Sequence, residues 1–290
     1  MTMSNRMPRT LHGGLEHCSV NTATLGHREP LRITVDRIAR AGFGSIAPWR
    51  SEVEGCDVQA IARQIREAGL GVSGYCRSTY IPALEVAQFR ANVESNRRAL
   101  HDAAVLGARC FVMVVGGIPA GSRDLEGARA QVHDAVADLL HLAKAVGVPL
   151  ALEPLHPVYA ANRSVLNTLG QALEWCQIID PEQSGYLGVA IDAYHCWWDP
   201  QLTACVAQAG KAKRILAFHV CDWLHDTQDV LLDRGMMGDG VIDLAGLRHL
   251  VEAAGYAGAV EVEIFSKDNW WKKDIDDVLR VCADRLQTVC

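Results

Sequence analysis

VHDAVADLLHLAKAVGVPLALE, residues 132–153, contains one repeat unit of the fold that we predict for the whole chain. Apolar residues three and four positions apart in its first part are typical of a helix with one buried face. Gly147 follows this pattern, and a glycine suits the left-handed conformation that ends many helices. Residues 149–152 form a short apolar run that predicts a buried strand, and Glu153 comes directly after it.

The same alternation extends over the whole chain. Segments with helical periodicity separate eight predicted strands, which cover residues 15–20, 45–49, 71–76, 110–115, 149–152, 187–191, 215–218 and 259–264. Eight alternations without a linker predict an α/β fold, a single (β/α)₈ TIM barrel over residues 11–290 that follows a flexible N-terminus over residues 1–10. The alternative is an open doubly wound sheet, which would carry a glycine-rich phosphate loop after its first strand. Residues 18–23 contain no glycine.

Composition argues against several classes of protein. The 290 residues are 49% hydrophobic and 21% charged, which is typical of a folded chain with a sizeable core. A formal net charge of −6 gives no reason to expect binding to nucleic acid or to an anionic membrane surface. The ten cysteines are scattered, which favours a reducing compartment and predicts a cytoplasmic protein. No apolar run is long enough to cross a membrane, and the first ten residues lack the apolar run of a signal peptide.

Each of the last four predicted strands ends next to a side chain that can bind a metal ion. These side chains are Glu153, Asp192, His219 and Glu263. The two-residue period of a strand predicts that Ala151, Ala190 and Ala217 point into the barrel with them, while the side chains that face the helices are Leu150, Leu152, Val189, Ile191, Leu216 and Phe218. Because the carboxyl ends of barrel strands meet at one mouth, we expect the four polar side chains to surround one point.

The donor set of this predicted cluster favours an exchangeable divalent cation. Three carboxylates and one imidazole suit Mn²⁺ best, with Mg²⁺ and Co²⁺ as alternatives, and such an ion polarises a carbonyl group next to the carbon that loses a proton. Any one of these residues alone is more often a helix cap or an arginine partner, so the prediction rests on their joint occurrence. Glu261 shares the strand face of Glu263. We prefer Glu263 as the ligand because it is nearer the mouth, and expect Glu261 to be a supporting or core carboxylate.

Five short motifs resemble the sugar phosphate isomerase/epimerase superfamily, whose members have a xylose-isomerase-like barrel. They are Leu152-Glu153-Pro154-Leu155-His156-Pro157, Ile191-Asp192-Ala193-Tyr194-His195, Phe218-His219-Val220-Cys221-Asp222-Trp223, Gly238-Asp239-Gly240 and Val262-Glu263-Ile264-Phe265. In ketose 3-epimerases of this group, the positions that match the four polar side chains hold the metal, and two glutamates exchange protons on opposite faces of an enediolate. The resemblance therefore implies that Glu153 and Glu263 are the catalytic pair as well as metal ligands.

Five further residues are candidates for substrate binding. The resemblance implies that His195 lies near the substrate oxygens and that Arg234, in the long segment 222–240, contacts the substrate. His156 is similarly placed beyond Glu153. Arg50 and Arg77 follow the second and third predicted strands, so both can reach the mouth. The alternatives are histidines that only support the structure and arginines that pair with nearby glutamates.

Several tryptophans close to the predicted strand ends have two explanations. Trp197, Trp198 and Trp223 either pack on the apolar face of a sugar ring or hold loops or subunits together. Trp270 and Trp271 suit an interface as well as a core. The sequence is therefore compatible with a homo-oligomer and does not establish one.

These observations predict a metal-dependent isomerase or epimerase that acts on a keto sugar or a related polyol. A lyase or dehydratase acting on a keto-cyclitol or a 3-keto-glycoside begins with the same proton abstraction and is the main alternative, and a non-catalytic sugar-binding relative is the next. A DNA-repair nuclease on the same barrel would need more metal ligands and a basic surface, which this acidic chain lacks. The expected partner is a small carbohydrate. The lack of a phosphate cradle near the last two strands favours a substrate without phosphate.

Overall fold

Eight parallel strands form the wall of a barrel in the computed structural model, which describes residues 14–290. The strands are β1 (Leu15–Asn21), β2 (Phe43–Ala47), β3 (Gly71–Val72), β4 (Phe111–Met113), β5 (Leu150–Leu152), β6 (Leu187–Asp192), β7 (Ile215–Val220) and β8 (Val260–Val262). They are hydrogen-bonded in the order β3-β2-β1-β8-β7-β6-β5-β4. Parallel bridges between Val72 and Ala108 and between Tyr75 and Phe111 connect the two ends of this order. The predicted TIM barrel is confirmed.

The predicted flexible segment, residues 1–10, lies outside the described residues. The boundary of the barrel at residue 11 lies outside them as well and stays a prediction.

Helices connect the strands and surround the barrel. They are α1 (Leu31–Arg40), α2 (Arg50–Val53), α3 (Val58–Glu67), α4 (Val86–Leu106), α5 (Leu125–Val146), α6 (Leu169–Ile179), α7 (Ala193–Cys196), α8 (Leu202–Lys211), α9 (Leu244–Ala253) and α10 (Ile275–Thr288). Helix α5 buries an apolar stripe within residues 132–143, as predicted. Gly147 ends the helix with a φ of 78°, in the left-handed region. None of the helices within residues 14–290 is both long and apolar enough to span a membrane.

Apolar side chains pack in two layers on either side of the strands. The large outer layer lies between strands and helices and contains Leu150, Leu152 and Phe218, as predicted. A small inner cluster fills the barrel beneath the mouth and consists of Cys76, Cys110, Val112, Ala151, Ala190 and Ala217. These alanines therefore do point into the barrel. Their small size leaves room above them for polar side chains.

Leu216 is an exception to the predicted alternation. We expected it to face the helices, but it packs against the inner cluster. The pairing of β6 with β7 advances from Val189–Ile215 to Ala190–Ala217, so Leu216 is an extra residue without a partner. Such a bulge changes the direction of one side chain without changing those that follow. A Cβ on Gly188 would lie 2.8 Å from Leu216 Cγ, so a glycine at this position makes the inward course of Leu216 possible.

The first four strands differ most from the predicted strand bounds. Strand β2 ends at Ala47 rather than at residue 49, since Pro48 has no N–H with which to continue the ladder. Strand β3 contains two residues instead of six. Beyond it the chain still bonds to its neighbours, as in the bond from Tyr75 N to Cys110 O of 3.0 Å, but not as a regular ladder. These irregular segments lead the chain into the mouth of the barrel.

Candidate active site

Four strands bring the predicted metal-binding side chains to one place. Glu153 directly follows β5, Asp192 is the last residue of β6, His219 lies in β7, and Glu263 directly follows β8. All four are buried, and one ligand atom from each lies within 4.8 Å of the corresponding atoms of the other three. The structure therefore gathers the four residues at the mouth, as the strand-end pattern led us to expect. Their role as metal ligands stays a prediction.

Backbone hydrogen bonds fix these residues beyond the ends of the ladders. Glu153 N donates to Met113 O at 3.1 Å, and Glu263 N donates to Val220 O at the same distance. Asp192 Oδ1 accepts a bond of 2.8 Å from Tyr194 N and thereby caps the short helix α7. Each carboxylate is therefore attached to a main chain that cannot shift without loss of strand or cap hydrogen bonds.

Hydrogen bonds link the cluster into one network. His219 Nδ1 lies 2.8 Å from Glu153 Oε1, whereas His219 Nε2 is buried without a hydrogen-bond partner. Arg234 Nη1 donates to Asp192 Oδ2 and to Glu263 Oε2, in both cases at 3.2 Å. The guanidinium group thus bridges two of the carboxylates.

Burial shifts the proton affinities of the cluster. Burial is the main cause that raises the pKa of Asp192 to about 6, against the opposing charge of Arg234. Burial, followed by the nearby charge of Glu153, raises the pKa of Glu263 to about 7. Burial alone would lower the pKa of His219, but the carboxylates of Glu261 and Glu153 outweigh it and raise that pKa well above its usual value. The protein without a cation therefore holds protons in this cluster near neutral pH.

Glu261 lies on a lower level of the barrel interior. Its Oε1 accepts a bond of 2.9 Å from Asn21 Nδ2, and its Oε2 accepts one of 2.7 Å from Ser73 Oγ. The Asn21 amide also donates to Glu263 Oε1 at 3.0 Å. Glu261 is therefore a core carboxylate beneath the cluster, and Asn21 connects the two levels.

Arg234 and His195 form the wall next to Asp192. Arg234 is buried between the rings of Tyr194 and Phe265, with its guanidinium carbon 4.4 Å and 4.6 Å from their centroids. His195 Nε2 lies 3.3 Å from Arg234 Nη2 and accepts its hydrogen bond. Burial and then the charge of Arg234 lower the pKa of His195 well below its usual value, so this imidazole is neutral.

Asp222 builds the loop that carries Arg234. Its Oδ1 accepts bonds from Trp223 N at 2.9 Å and Ile242 N at 3.0 Å, and its Oδ2 accepts one from Gly238 N at 2.9 Å. Gly240 has no room for a side chain, because a Cβ there would lie 2.1 Å from Trp223 O. Asp222 therefore fixes both ends of the long segment 222–240.

The structure does not bring His156 or Arg50 into the pocket above the cluster. His156 Nδ1 accepts a bond of 3.2 Å from Val158 N, and its ring lies against Trp198 and Trp223. Arg50 pairs with Glu54 and donates to Thr79 Oγ1 at 2.7 Å. Both side chains have local structural partners, and neither placement supports direct contact with a substrate at the cluster.

Arg77 does reach this pocket, which is lined by Glu153, Glu263, Trp49 and Arg163 among others. Its guanidinium carbon lies 4.7 Å from the centroid of the Tyr80 ring.

The tryptophans pack against protein groups. Trp223 stacks on Tyr194 with ring centroids 4.6 Å apart, and Trp197 and Trp198 lie in the same aromatic group around Trp223 and His156. Trp271 Nε1 donates to Ala23 O at 2.8 Å. Loop packing is therefore what these side chains do in the described chain.

A family model described as a xylose isomerase-like TIM barrel matches residues 35–282. The chain belongs to this family. Among curated members, L-ribulose 3-epimerase of Mesorhizobium japonicum is 27% identical over 262 residues, which cover 87% of this chain and 81% of the epimerase. Inosose isomerase of Halalkalibacterium halodurans is 27% identical over 158 residues, which cover 51% of this chain and 50% of the isomerase. That match thus spans about half the length of the isomerase.

Two solved structures share the fold of this chain. A crystal structure of a protein from Sinorhizobium meliloti 1021 is 48% identical, with a TM-score of 0.92 and coverage of 95% of this chain and 99% of that one. The IolI protein with a binding zinc atom has a TM-score of 0.80 at 17% identity, with coverage of 94% and 97%. The second likeness shows the fold alone.

The site of this xylose isomerase-like barrel fits a divalent cation. Three carboxylates and an imidazole gather within 4.8 Å, and His219 Nε2 is buried without a hydrogen-bond partner, 3.6 Å from Glu261 Oε1. The raised pKa values of Asp192 and Glu263 show that the protein's own cations do not fully compensate the buried negative charge. A cation bound among these atoms would supply the missing compensation and replace the protons.

Sequence reasoning missed three residues of this site. Asn21 is the last residue of β1, in the position that a strand-end search would inspect, but an amide is not a metal ligand of the type sought. Trp49 lies two residues beyond β2 and donates from Nε1 to Asn21 Oδ1 at 2.7 Å. Arg163 lies ten residues beyond Glu153 in a loop, where no periodic signal indicates the mouth.

Proposed function

We propose that this protein is a divalent-metal-dependent isomerase or epimerase that acts on a keto sugar or a related polyol. The observation that carries the proposal is the buried cluster, in which Glu153 and Glu263 lie beside two further metal-capable side chains. The family relatives with names that specify isomerisation or epimerisation support the same class of reaction.

Glu153 and Glu263 are the proposed acid/base pair. The reaction would begin when one carboxylate removes a proton from the carbon next to the substrate carbonyl, which gives an enediolate. The other carboxyl would return a proton, and delivery to the opposite face would invert the carbon.

Glu153, Asp192, His219 and Glu263 are the proposed metal ligands. Bound there, the ion would polarise the substrate carbonyl and lower the cost of the negative charge that develops on its oxygen. Mn²⁺ is the proposed ion because oxygen-rich sets with one imidazole favour it, with Mg²⁺ and Co²⁺ as alternatives. His195 and Arg234 are the proposed contacts for the substrate oxygens, since both adjoin Asp192 in the wall of the pocket.

The pocket above the cluster must widen when a sugar binds. Its cavity measures about 20 Å³, which suits a water molecule or an ion rather than a sugar. Leu231, from the long segment that carries Arg234, and Phe265 both line this cavity. We therefore expect side chains of these two segments to move on substrate binding.

Solvent exchange tests the proposal. Purified protein with Mn²⁺ is incubated in deuterium oxide with ketohexoses, L-ribulose, 2-keto-inositol and 3-keto-glucosides, and the products are analysed by NMR and mass spectrometry. Deuterium at one carbon of an otherwise intact isomer or epimer supports the proposal. Loss of water or of the aglycone would instead assign the site to elimination, and binding without exchange for every compound would favour a sugar-binding relative.

The cellular setting and assembly of the protein are also proposals. The nine cysteines from Cys56 to Cys290 form no disulfide in the described residues, which supports a reducing compartment such as the cytoplasm. The proposed partner is a small carbohydrate, without nucleic acid or membrane. A homo-oligomer stays a prediction, and Trp270 and Trp271 no longer argue for it because both are engaged within the chain, Trp270 by burial and Trp271 by its bond to Ala23 O.

A further inference from the structure

Four arginines surround the mouth of the barrel, and they differ in their partners. Arg50 pairs with Glu54 and donates to Thr79 and Ser95 hydroxyls, while Arg234 bridges Asp192 and Glu263. Both guanidinium groups therefore have carboxylate partners in the protein, although Arg234 Nε is buried without a hydrogen-bond partner.

Arg77 and Arg163 line the same pocket without such partners. Within residues 14–290, neither guanidinium group forms an ion pair with a carboxylate, and Arg163 Nε is buried without a hydrogen-bond partner. Their contacts are with aromatic rings: Arg77 lies over Tyr80, and the guanidinium carbon of Arg163 is 5.5 Å from the centroid of Tyr159. The rings hold the flat side chains in place and leave their N–H groups free to donate.

The two positive charges act on each other across the pocket. Burial lowers the pKa of Arg77, and the charge of Arg163 lowers it further. Both side chains are half-buried, and Arg163 Nε is buried without a hydrogen-bond partner. Two like charges in such a place without a paired carboxylate are unfavourable unless a ligand completes the arrangement.

The backbone around Arg163 is fixed rather than free. Val165 N donates to Gly116 O at 2.9 Å, and Ile118 N donates to Ala161 O at 3.0 Å. A Cβ on Gly117 would lie 2.5 Å from the backbone of Asn162, so the two loops approach as closely as a glycine permits. The loop thus presents Arg163 at a defined position above Glu153.

Arg77 also lies between two cavities. It lines the small cavity above the cluster and a wider one of about 550 Å³ toward the outside, together with Trp49 in both cases. A substrate with its carbonyl at the cluster would therefore extend past Arg77 and Arg163 on the way out.

We propose that the substrate carries an anionic group, a carboxylate or a phosphate monoester, which Arg77 and Arg163 bind at the end remote from the carboxylate cluster. A guanidinium group donates two parallel N–H bonds to either kind of oxyanion, and such charge-assisted bonds are the strong ones. This inference rests on the proposed function, because it specifies the substrate of the same pocket. The sequence favoured a substrate without phosphate. The two arginines make a phosphate monoester one of two candidate groups, beside a carboxylate.

Three ligands without a carbonyl group test this inference separately from the reaction. Calorimetry measures the binding of xylitol, xylonate and xylitol 5-phosphate to the Mn²⁺-loaded wild type, R77Q, R163Q and the control R63Q, whose side chain is exposed on α3. We expect at least one anion to bind the wild type at least about tenfold more tightly than xylitol, and each pocket variant to lose about tenfold for that anion. Xylitol affinity should not change in R77Q or R163Q, and R63Q should resemble the wild type throughout.

The outcomes separate the two anions and the two proposals. Preference for xylonate assigns a carboxylate, and preference for xylitol 5-phosphate assigns a phosphate monoester. Anions that bind no more tightly than xylitol, or an anion preference that survives in both R77Q and R163Q, would overturn the inference. The latter result would mean that other groups, such as the Mn²⁺, bind the anion. If the inference fails but neutral ketoses exchange deuterium, the proposed function stands without the anion site. If an anion is preferred but no ketose exchanges deuterium, the anion site stands and the proposed reaction is wrong.

Discussion

The two halves of the barrel contribute different chemistry to the mouth. Strands β5 to β8 each present one metal-capable side chain, and together these form the buried cluster. The ends of β1, β2 and β3 present no carboxylate to it and instead lead to Asn21, Trp49 and Arg77. Negative charge is therefore concentrated in the second half, and hydrogen-bond donors and a positive charge lie in the first.

This division separates proton transfer from positioning. The second half holds the groups that can exchange protons or bind a cation, and burial, followed by the charge of Glu153, raises the pKa of Glu263. In the first half, Asn21 donates a hydrogen bond to Glu263, and the positively charged Arg77 lines the pocket above the cluster. If the division is correct, substitutions in the two halves should have different kinetic consequences.

The largest effect is expected from the second half, in the variants E153Q and E263Q. Glutamine keeps the shape and one ligand oxygen but cannot exchange a proton, so we expect kcat to fall by roughly 10²- to 10⁴-fold, the usual contribution of a positioned acid or base. Initial rates with the ketose that exchanges deuterium most rapidly provide the measurement. E67Q, a substitution on the exposed face of α3, is the matched control and should keep the wild-type kcat. An unchanged kcat in E263Q would place proton transfer elsewhere.

A smaller effect is expected when the metal is removed. A ligand present at 100 times its Kd stabilises the folded state by about 2.7 kcal/mol, and each kcal/mol shifts Tm by roughly 2–4 °C in a chain of this size class. We therefore expect Mn²⁺ to raise the Tm of chelator-treated protein by roughly 5–10 °C.

The double variant D192N/H219Q tells whether that shift comes from the cluster. It removes one charged and one imidazole ligand, so the shift should largely disappear, while D226N, at an exposed position, should retain it. An equal shift in the double variant would mean that Mn²⁺ binds at another site.

The sequence predicted the residues that strands carry to the mouth better than those that loops carry, for a physical reason. Glu153, Asp192, His219 and Glu263 lie in or next to strands, so the two-residue period defines both their level and their direction. Arg163 depends instead on backbone bonds between two loops, such as Val165 N to Gly116 O, which leave no periodic trace in the sequence.

Irregular strands limited the prediction in a second way. The bulge at Leu216 turned this side chain inward, whereas Ala217 and Phe218 after it kept the expected directions. Strand β3 has two ladder residues, so a strand rule could not give the direction of Arg77 beyond it. The fold needs only the order of strands and helices, and it was therefore predictable, whereas the first half of the mouth depends on details of loop geometry.

The smallest effect, expected in the first half, is that of N21A. Asn21 Nδ2 donates to Glu261 Oε1 and Glu263 Oε1, and its Oδ1 accepts from Trp49 Nε1 and from Ala23 N, so alanine would remove a hydrogen-bond partner from each of these groups. Loss of such a bond costs about 1–3 kcal/mol, and with Glu263 less well held we expect kcat to fall roughly tenfold with little change in KM. A Mn²⁺ titration measures the metal affinity of N21A. An unchanged affinity would mean that Glu263 is displaced but still binds the ion, and a lower affinity would mean that it no longer does. N269A, at an exposed position, controls for the loss of an asparagine. A change in KM alone would mean that Asn21 binds the substrate and does not position Glu263. The first half of the barrel would then serve substrate binding only, and the second half proton transfer.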